Sequence, residues 1–187
     1  MCLDRGGIVG EDGVTHHGVF DMAAFGAVPG LTIAAPMDEL ELRNMMYTGL
    51  QYGHPFMIRY PRGNGAGRLW RGVPFEALPV GRGRRLREGT DVALVTVGTV
   101  GNAAARAAER AAAKGVSVAH YDLRFAKPLD EALLAEVGAK FRHVVTVEDG
   151  SLRGGVGEAV TAFFNARGCE VAVHSLGIGD EWVEHGT

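Results

Sequence analysis

Cysteine is scarce in this chain, and the little there is lies far apart. Cys2 and Cys169 are the only two in 187 residues, which predicts reduced thiols rather than a disulfide scaffold. No apolar run approaches the roughly 20 residues that span a bilayer as a helix. The opening MCLDRGG lacks the apolar centre of a secretory signal, so a cytoplasmic location is expected. Charge of one sign is also lacking. A formal net charge of −3 provides no general attraction for nucleic acid or an anionic membrane, and neither is expected as a partner. The acidic residues and histidines show no recognisable ligand spacing, so no metal site is expected in this chain.

What is present is an ordinary globular composition, 47% hydrophobic and 22% charged. The 28 glycines fall mostly between apolar runs, as tight loops between strands and helices do. From about residue 90 onward the two periods alternate. Residues 91–97 read as a buried strand, the Ala-rich stretch 102–114 as a helix ended by Gly115, and 116–121 as the next strand. A helix is predicted to open at Pro128, with Leu129, Leu133, Leu134 and Val137 on one face. Strand 143–147, a helix near 155–167 and strand 170–175 complete the series. This β-α-β-α-β-α-β order implies an α/β domain with a mostly parallel sheet and helices on both faces.

The first 65 residues form a separate piece: a strand at Ile33-Ala-Ala35, a helix capped by Asp38 and Glu41 and running to about Gln51, and a strand over 56–60. Residues 66–89, rich in Gly, Pro and Arg, read as a linker. Arg82, Arg84, Arg85 and Arg87 in and beside it form an anion patch or a solvated edge; no aromatic platform is interleaved with them. The first piece is too small to bury a core of its own and reads as the tail end of a larger domain.

The most informative stretch is the loop from Asp4 to Asp21. It sets Arg5, Glu11, Asp12, His16 and His17 among five glycines just after a strand. Loops at the carboxyl ends of parallel strands are where α/β proteins place ligands. Histidine exchanges protons near neutral pH. Arginine offers a planar fork suited to phosphate. A polar turn satisfying its own backbone is the plainer alternative.

This loop, D-R-x-G-[IV]-x-G-x-D-G-x-T-H-x-G-x-F-D over 4–21, is followed by P-G-L-T-I over 29–33 and R-Y-P-R-G-N over 59–64. Together they resemble the pyrimidine-binding domain of the 1-deoxy-D-xylulose-5-phosphate synthase family. R-F-A-K-P-L-D over 124–130, V-T-V-E-D-G over 145–150, the Gly154-Gly-Val-Gly157 turn and G-x-G-D-E-W-V-E-H-G over 177–186 resemble that family's C-terminal domain. The D-G-x-T-H core is shared with transketolases, but they read Leu-Ser-Arg-Gln where this chain reads Arg59-Tyr-Pro-Arg62.

The resemblance implies an incomplete pyrimidine-binding domain over 1–65, a linker over 66–89, and a transketolase C-terminal-like parallel α/β domain over 90–187 that lacks its final helix. It implies a homodimeric transferase that uses thiamine diphosphate and Mg2+ to join pyruvate to glyceraldehyde 3-phosphate, with loss of CO2, on the route to isoprenoid precursors. By the same resemblance Arg5 and Arg62 hold the acceptor's phosphate, Asp12 faces hydroxyl groups, and His16 hydrogen-bonds the pyruvate-derived group. His17 has no implied role. Arg59 pairs with an acid or touches substrate; Asp4 and Asp21 close the loop; Arg124 and Lys127 have structural or interface duty. The residues that ligate the metal and cofactor are expected outside this chain, which alone is expected to be inactive. A different thiamine-diphosphate enzyme and a non-catalytic dimerisation module are the competing readings.

Overall fold

The computed structural model describes residues 1–186. Strand β1 (Cys2–Leu3) leads into the glycine-rich loop, and helix α1 (Asp21–Gly26) closes it. Then come β2 (Thr32–Ala34), α2 (Glu39–Tyr52) and β3 (Phe56–Arg59). The Asp38 cap forms as its sequence signal predicts: the carboxylate accepts from Glu41 N at 2.8 Å. Glu41 reaches one residue past a standard capping box and accepts from Met37 N instead. Gly53 ends α2 with φ 71°. Strands β1 and β2 both pair in parallel with β3, which lies between them.

The second half runs β4 (Arg84–Arg87), β5 (Val92–Thr96), α3 (Val100–Ala112), β6 (Val118–Asp122), β7 (Phe125–Lys127), α4 (Glu131–Lys140), β8 (His143–Ser151), α5 (Val156–Ala166) and β9 (Ala172–Ile178). Strand β4 lies inside the stretch expected to be a linker, where it pairs antiparallel with β6. Its Arg-rich composition hid it, because only an edge strand tolerates so many charges. Helix α4 begins at Glu131, not at Pro128 as predicted. Asp130 caps it by accepting from Leu133 N at 3.0 Å, which sets the start three residues later.

Strands β5, β6, β8 and β9 are parallel, in the sheet order β4-β6-β5-β8-β9. One face, with Leu94 and Val118, packs on Ala104 and Ala108 of α3. The other, with Ala93 and Val95, packs on Leu134 and Val137 of α4 and on Val160 and Phe164 of α5. Helices thus cover both faces, as the alternation in the sequence implies. Short strand β7 leaves this sheet and pairs antiparallel with β2, completing a four-stranded sheet β1-β3-β2-β7. The first piece therefore obtains a strand and Phe125, fully buried against Phe56 and Met45, from the second.

Charge also joins the halves. Arg124 and Arg84 both contact buried Glu41, at 2.7 and 3.1 Å, and Arg84 also meets buried Asp122 at 3.0 Å. Lys127 donates to the carbonyls of Gly26 and Val28. Burial, reinforced by Glu41, pushes Asp122 up to about 6. Burial, helped by Arg84, pulls neighbouring His120 down to about 4. The two effects on stability oppose each other. Asp122, raised, adds stability present below its unfolded pKa of about 3.9 and lost as pH rises through about 6. His120, depressed, adds stability present above its unfolded pKa of about 6.5 and lost as pH falls through about 4. Relative to the natural chain, Asp122→Asn should steepen the loss of thermal stability between pH 6.5 and 4, and His120→Gln should lessen it. Melting temperatures across that window check both signs.

Candidate functional site

The loop between β1 and α1 is built by backbone bonds that cross its base. Gly6 N donates to Tyr60 O, Gly7 N to Gly18 O, and Gly18 N to the carbonyls of Arg5 and Gly7, all within 2.9–3.0 Å. Arg5 is held at φ 62°, a left-handed conformation that a side-chain-bearing residue adopts only when its surroundings impose it. Gly7, at φ 82°, lies so close to the second half that a Cβ there would sit 2.8 Å from Asp149 Oδ2. These constraints deliver the Arg5 side chain toward the end of β3, where Arg62 follows.

There the two guanidinium groups converge. Arg62 Nη1 lies 2.6 Å and Arg5 Nε 3.1 Å from the same oxygen, Asp12 Oδ2. Arg5 also contacts Asp4, and Arg62 lies 3.6 Å from Glu11. Hydrogen bonds from Arg62 and then Arg5 hold the Asp12 carboxyl below its ordinary range, and the bond to Asp12 raises Arg5. The cluster is half-open to solvent. It brings Arg5, Asp12 and Arg62 together as one constellation. His16 stands apart from their hydrogen bonds: exposed, its Nδ1 lies 3.0 Å from Thr15 Oγ1.

The loop is also strapped from the far end of the chain. His17 Nδ1 accepts from Val9 N at 2.9 Å while Nε2 lies 3.0 Å from Val183 O, an arrangement that requires the neutral ring with its proton on Nε2. His185 Nε2 donates to Glu11 O, and Gly186 N to Gly10 O. Trp182 meets Phe20 edge to face at 5.4 Å. This strap has no local signal, because the partners are more than 160 residues apart.

At the root of the loop Arg59 is only 2% exposed. Its Nε donates to both oxygens of Asp21 at 2.8 Å, its Nη1 to Asp149, and its Nη2 to the carbonyls of Gly18 and Asp149. The guanidinium lies beside Gly98 at the carboxyl ends of β5 and β8, strands whose following helices leave to opposite faces. That crevice is where open α/β sheets place ligands. Burial disfavours the Arg59 cation, but Asp149 and Asp21 overcome it and raise its pKa. One cation shared by two carboxylates does not compensate both, and burial leaves Asp21 above its ordinary range.

The Gly154–Gly157 turn is filled in the same manner. Glu148 accepts from the amides of Val156 and Gly157 at 3.0 and 2.8 Å, so an internal carboxylate takes the groups an external anion would need. A Cβ on Gly157 would lie 2.5 Å from Ser175 Oγ, and close helix–strand packing accounts for that glycine. Among the described residues, no three His, Cys, Asp or Glu side chains are placed to hold a metal ion. Nor is any helix there long and apolar enough to cross a membrane.

The model of the transketolase C-terminal domain matches residues 81–187, and that of the transketolase pyrimidine-binding domain matches residues 1–67. The chain belongs to the transketolase family. Within it, the chain is similar to 1-deoxy-D-xylulose-5-phosphate synthases, at 56% identity to that of Bacteroides fragilis and 45% to that of Carboxydothermus hydrogenoformans, each aligned over the whole chain. The chain spans 29% and 30% of the length of those relatives. Among solved structures, a split-gene transketolase in an inactive β4 tetramer superposes with a TM-score of 0.83 at 28% identity, over 96% of this chain and 57% of that one. In this transketolase-family chain the Arg5–Asp12–Arg62 cluster thus lies within the match to the pyrimidine-binding domain, and Asp149 and the strap lie within the match to the C-terminal domain.

Replacing His17 with Ala removes the acceptor of the Val9 amide, a loss of about 1–3 kcal/mol where the group stays dry. Hydrogen exchange at Val9 should accelerate by about tenfold or more, with the amides of β5 and β8 unchanged.

Proposed function

We propose that this chain supplies the acceptor-binding side of a thiamine-diphosphate-dependent transferase that joins pyruvate to glyceraldehyde 3-phosphate with release of CO2, the 1-deoxy-D-xylulose-5-phosphate synthase reaction that feeds isoprenoid precursors. The observation that carries the reading is the convergence of Arg5 and Arg62 on one oxygen of Asp12. Two guanidiniums already gathered on an anion form a receptor for a phosphate monoester, whose charge and oxygen count exceed those of a carboxylate. The high identity to named synthases across the whole chain supports the same substrate class.

The roles follow from position and charge. Arg5 and Arg62 bind the acceptor's phosphate. Asp12, kept anionic by both arginines, accepts hydrogen bonds from the acceptor's hydroxyl groups. His16 is exposed, and its Nε2 has no hydrogen-bond partner among the described residues; it donates to the oxygen of the pyruvate-derived group as charge develops there. Thiamine diphosphate supplies the carbanion chemistry when bound. The described residues alone provide no ligand cluster for its Mg2+. A homodimer is the proposed working assembly, and the 187-residue polypeptide on its own is proposed to be inactive. The split-gene neighbour, inactive as a β4 tetramer, is a structural parallel.

Two measurements test this reading. In the full natural chain, Arg62→Ala should raise KM for glyceraldehyde 3-phosphate by about 100-fold, the scale of one lost charge-assisted pair, and leave KM for pyruvate within about twofold. An equal rise in both constants would refute the phosphate assignment. The isolated 187-residue polypeptide with thiamine diphosphate and Mg2+ should release no CO2 from pyruvate above the uncatalysed rate; steady turnover would show that the piece is sufficient.

A further inference from the structure

We infer that Arg59, through Asp21 and Asp149, is a positioning residue for phosphate recognition, so that the second half of the chain tunes a site it does not line. The inference rests on the assignment of Arg5 and Arg62 to phosphate. It starts from an arrangement that stability alone does not require. A buried arginine with two carboxylates is often replaceable by apolar side chains without loss of stability, yet here every bond of the group ends on a segment that sets the anion cluster. Asp21 and Gly18 O belong to the closing end of the loop; Asp149 Oδ1 and Asp149 O belong to β8. Arg59 itself is the last residue of β3, three positions before Arg62.

The coupling reaches Arg5 through the backbone. Gly18 N donates to Arg5 O, and Gly6 N to Tyr60 O, the residue after Arg59. A Cβ on Gly6 would lie 3.1 Å from the Arg59 side chain, so the loop just after β1 rests directly on it. Asp149 Oδ2 in turn packs against Gly7. The left-handed Arg5 is thus held by the Gly18 amide on its own carbonyl and, through the next residue Gly6, by the Arg59 stem. If the charge on Asp149 is removed, Arg59 keeps Asp21 and the Asp149 carbonyl but loses its charge-assisted bond to the Asp149 side chain on β8. The separation of the two phosphate-binding arginines then relaxes, while His16 and its surroundings keep their own hydrogen bonds.

The test uses the full natural chain with Asp149→Asn, with Arg59→Lys as a second variant that keeps one positive charge but not the fork, and with Arg62→Ala as the control on the phosphate assignment. Inorganic phosphate is titrated calorimetrically, and KM for pyruvate is measured in parallel. The expected result is a Kd for phosphate raised about fivefold to tenfold in Asp149→Asn and Arg59→Lys, with KM for pyruvate unchanged. If Arg62→Ala weakens phosphate but neither triad variant does, the triad is a structural tie only and the inference is wrong. A rise in pyruvate KM equal to the rise in phosphate Kd overturns it equally, because general loosening would do that. If Arg62→Ala leaves phosphate binding unchanged, the phosphate assignment fails first and takes the inference with it.

Discussion

The interaction on which the rest of this structure depends is the guanidinium of Arg59 held out of water between Asp21 and Asp149. An unpaired charge at that depth would cost several kcal/mol, and breaking a buried pair typically costs about 3–5 kcal/mol. The cation therefore requires both halves of the chain in place. Strand β3, the closing end of the loop and the carboxyl end of β8 have one mutual arrangement in which all five donated bonds are made. Apolar contacts alone would permit small slides between packed surfaces. A planar fork with fixed donor directions does not.

The position of that fork has a functional consequence. Open α/β sheets offer ligands two preferred places, the crevice where strand order reverses and the amino end of a following helix. In the second sheet the chain's own side chains occupy both: Arg59 stands in the crevice between β5 and β8, and Glu148 caps α5. Both ligand positions of the second sheet are thus filled from within the chain. Arg5 and Arg62, the residues proposed to take phosphate, stand partly exposed instead on the loop and just past the end of β3. In this chain the first domain match carries the polar loop, and the second supplies Asp149 and the strap that contact it.

The sequence made local features legible and long-range ones not. Strands β5, β6, β8 and β9 and their helices were readable because β-branched runs, Ala-rich segments and glycine stops are short-range signals. The loop announced itself through its charged residues set among glycines, and the motif resemblance grouped Arg5, Asp12 and Arg62, which the structure does bring together. The pairing of Arg59 with an acid was one open alternative, but Asp149 as a partner lies 90 positions away and alternation along one strand cannot name it. Strand β7 was missed because its three residues belong to a sheet formed by the other half. Strand β4 was missed because four residues that include three arginines look like a solvated connection until Asp122 and Glu41 supply counter-charges. The start of α4 was misread because Pro128 signals a first turn, whereas the Asp130 side chain fixes it.

The central claim is that Arg5 and Arg62 form one anion receptor whose geometry Arg59 holds without touching the anion. Its most direct measurement follows the arginine Nε–Hε resonances of the chain while inorganic phosphate is added. The account predicts saturable shifts at Arg5 and Arg62 with a common Kd, and an Arg59 signal, locked on Asp21, that stays where it is. Saturable movement of Arg59, or shifts at Arg5 and Arg62 that titrate with different constants, would contradict it.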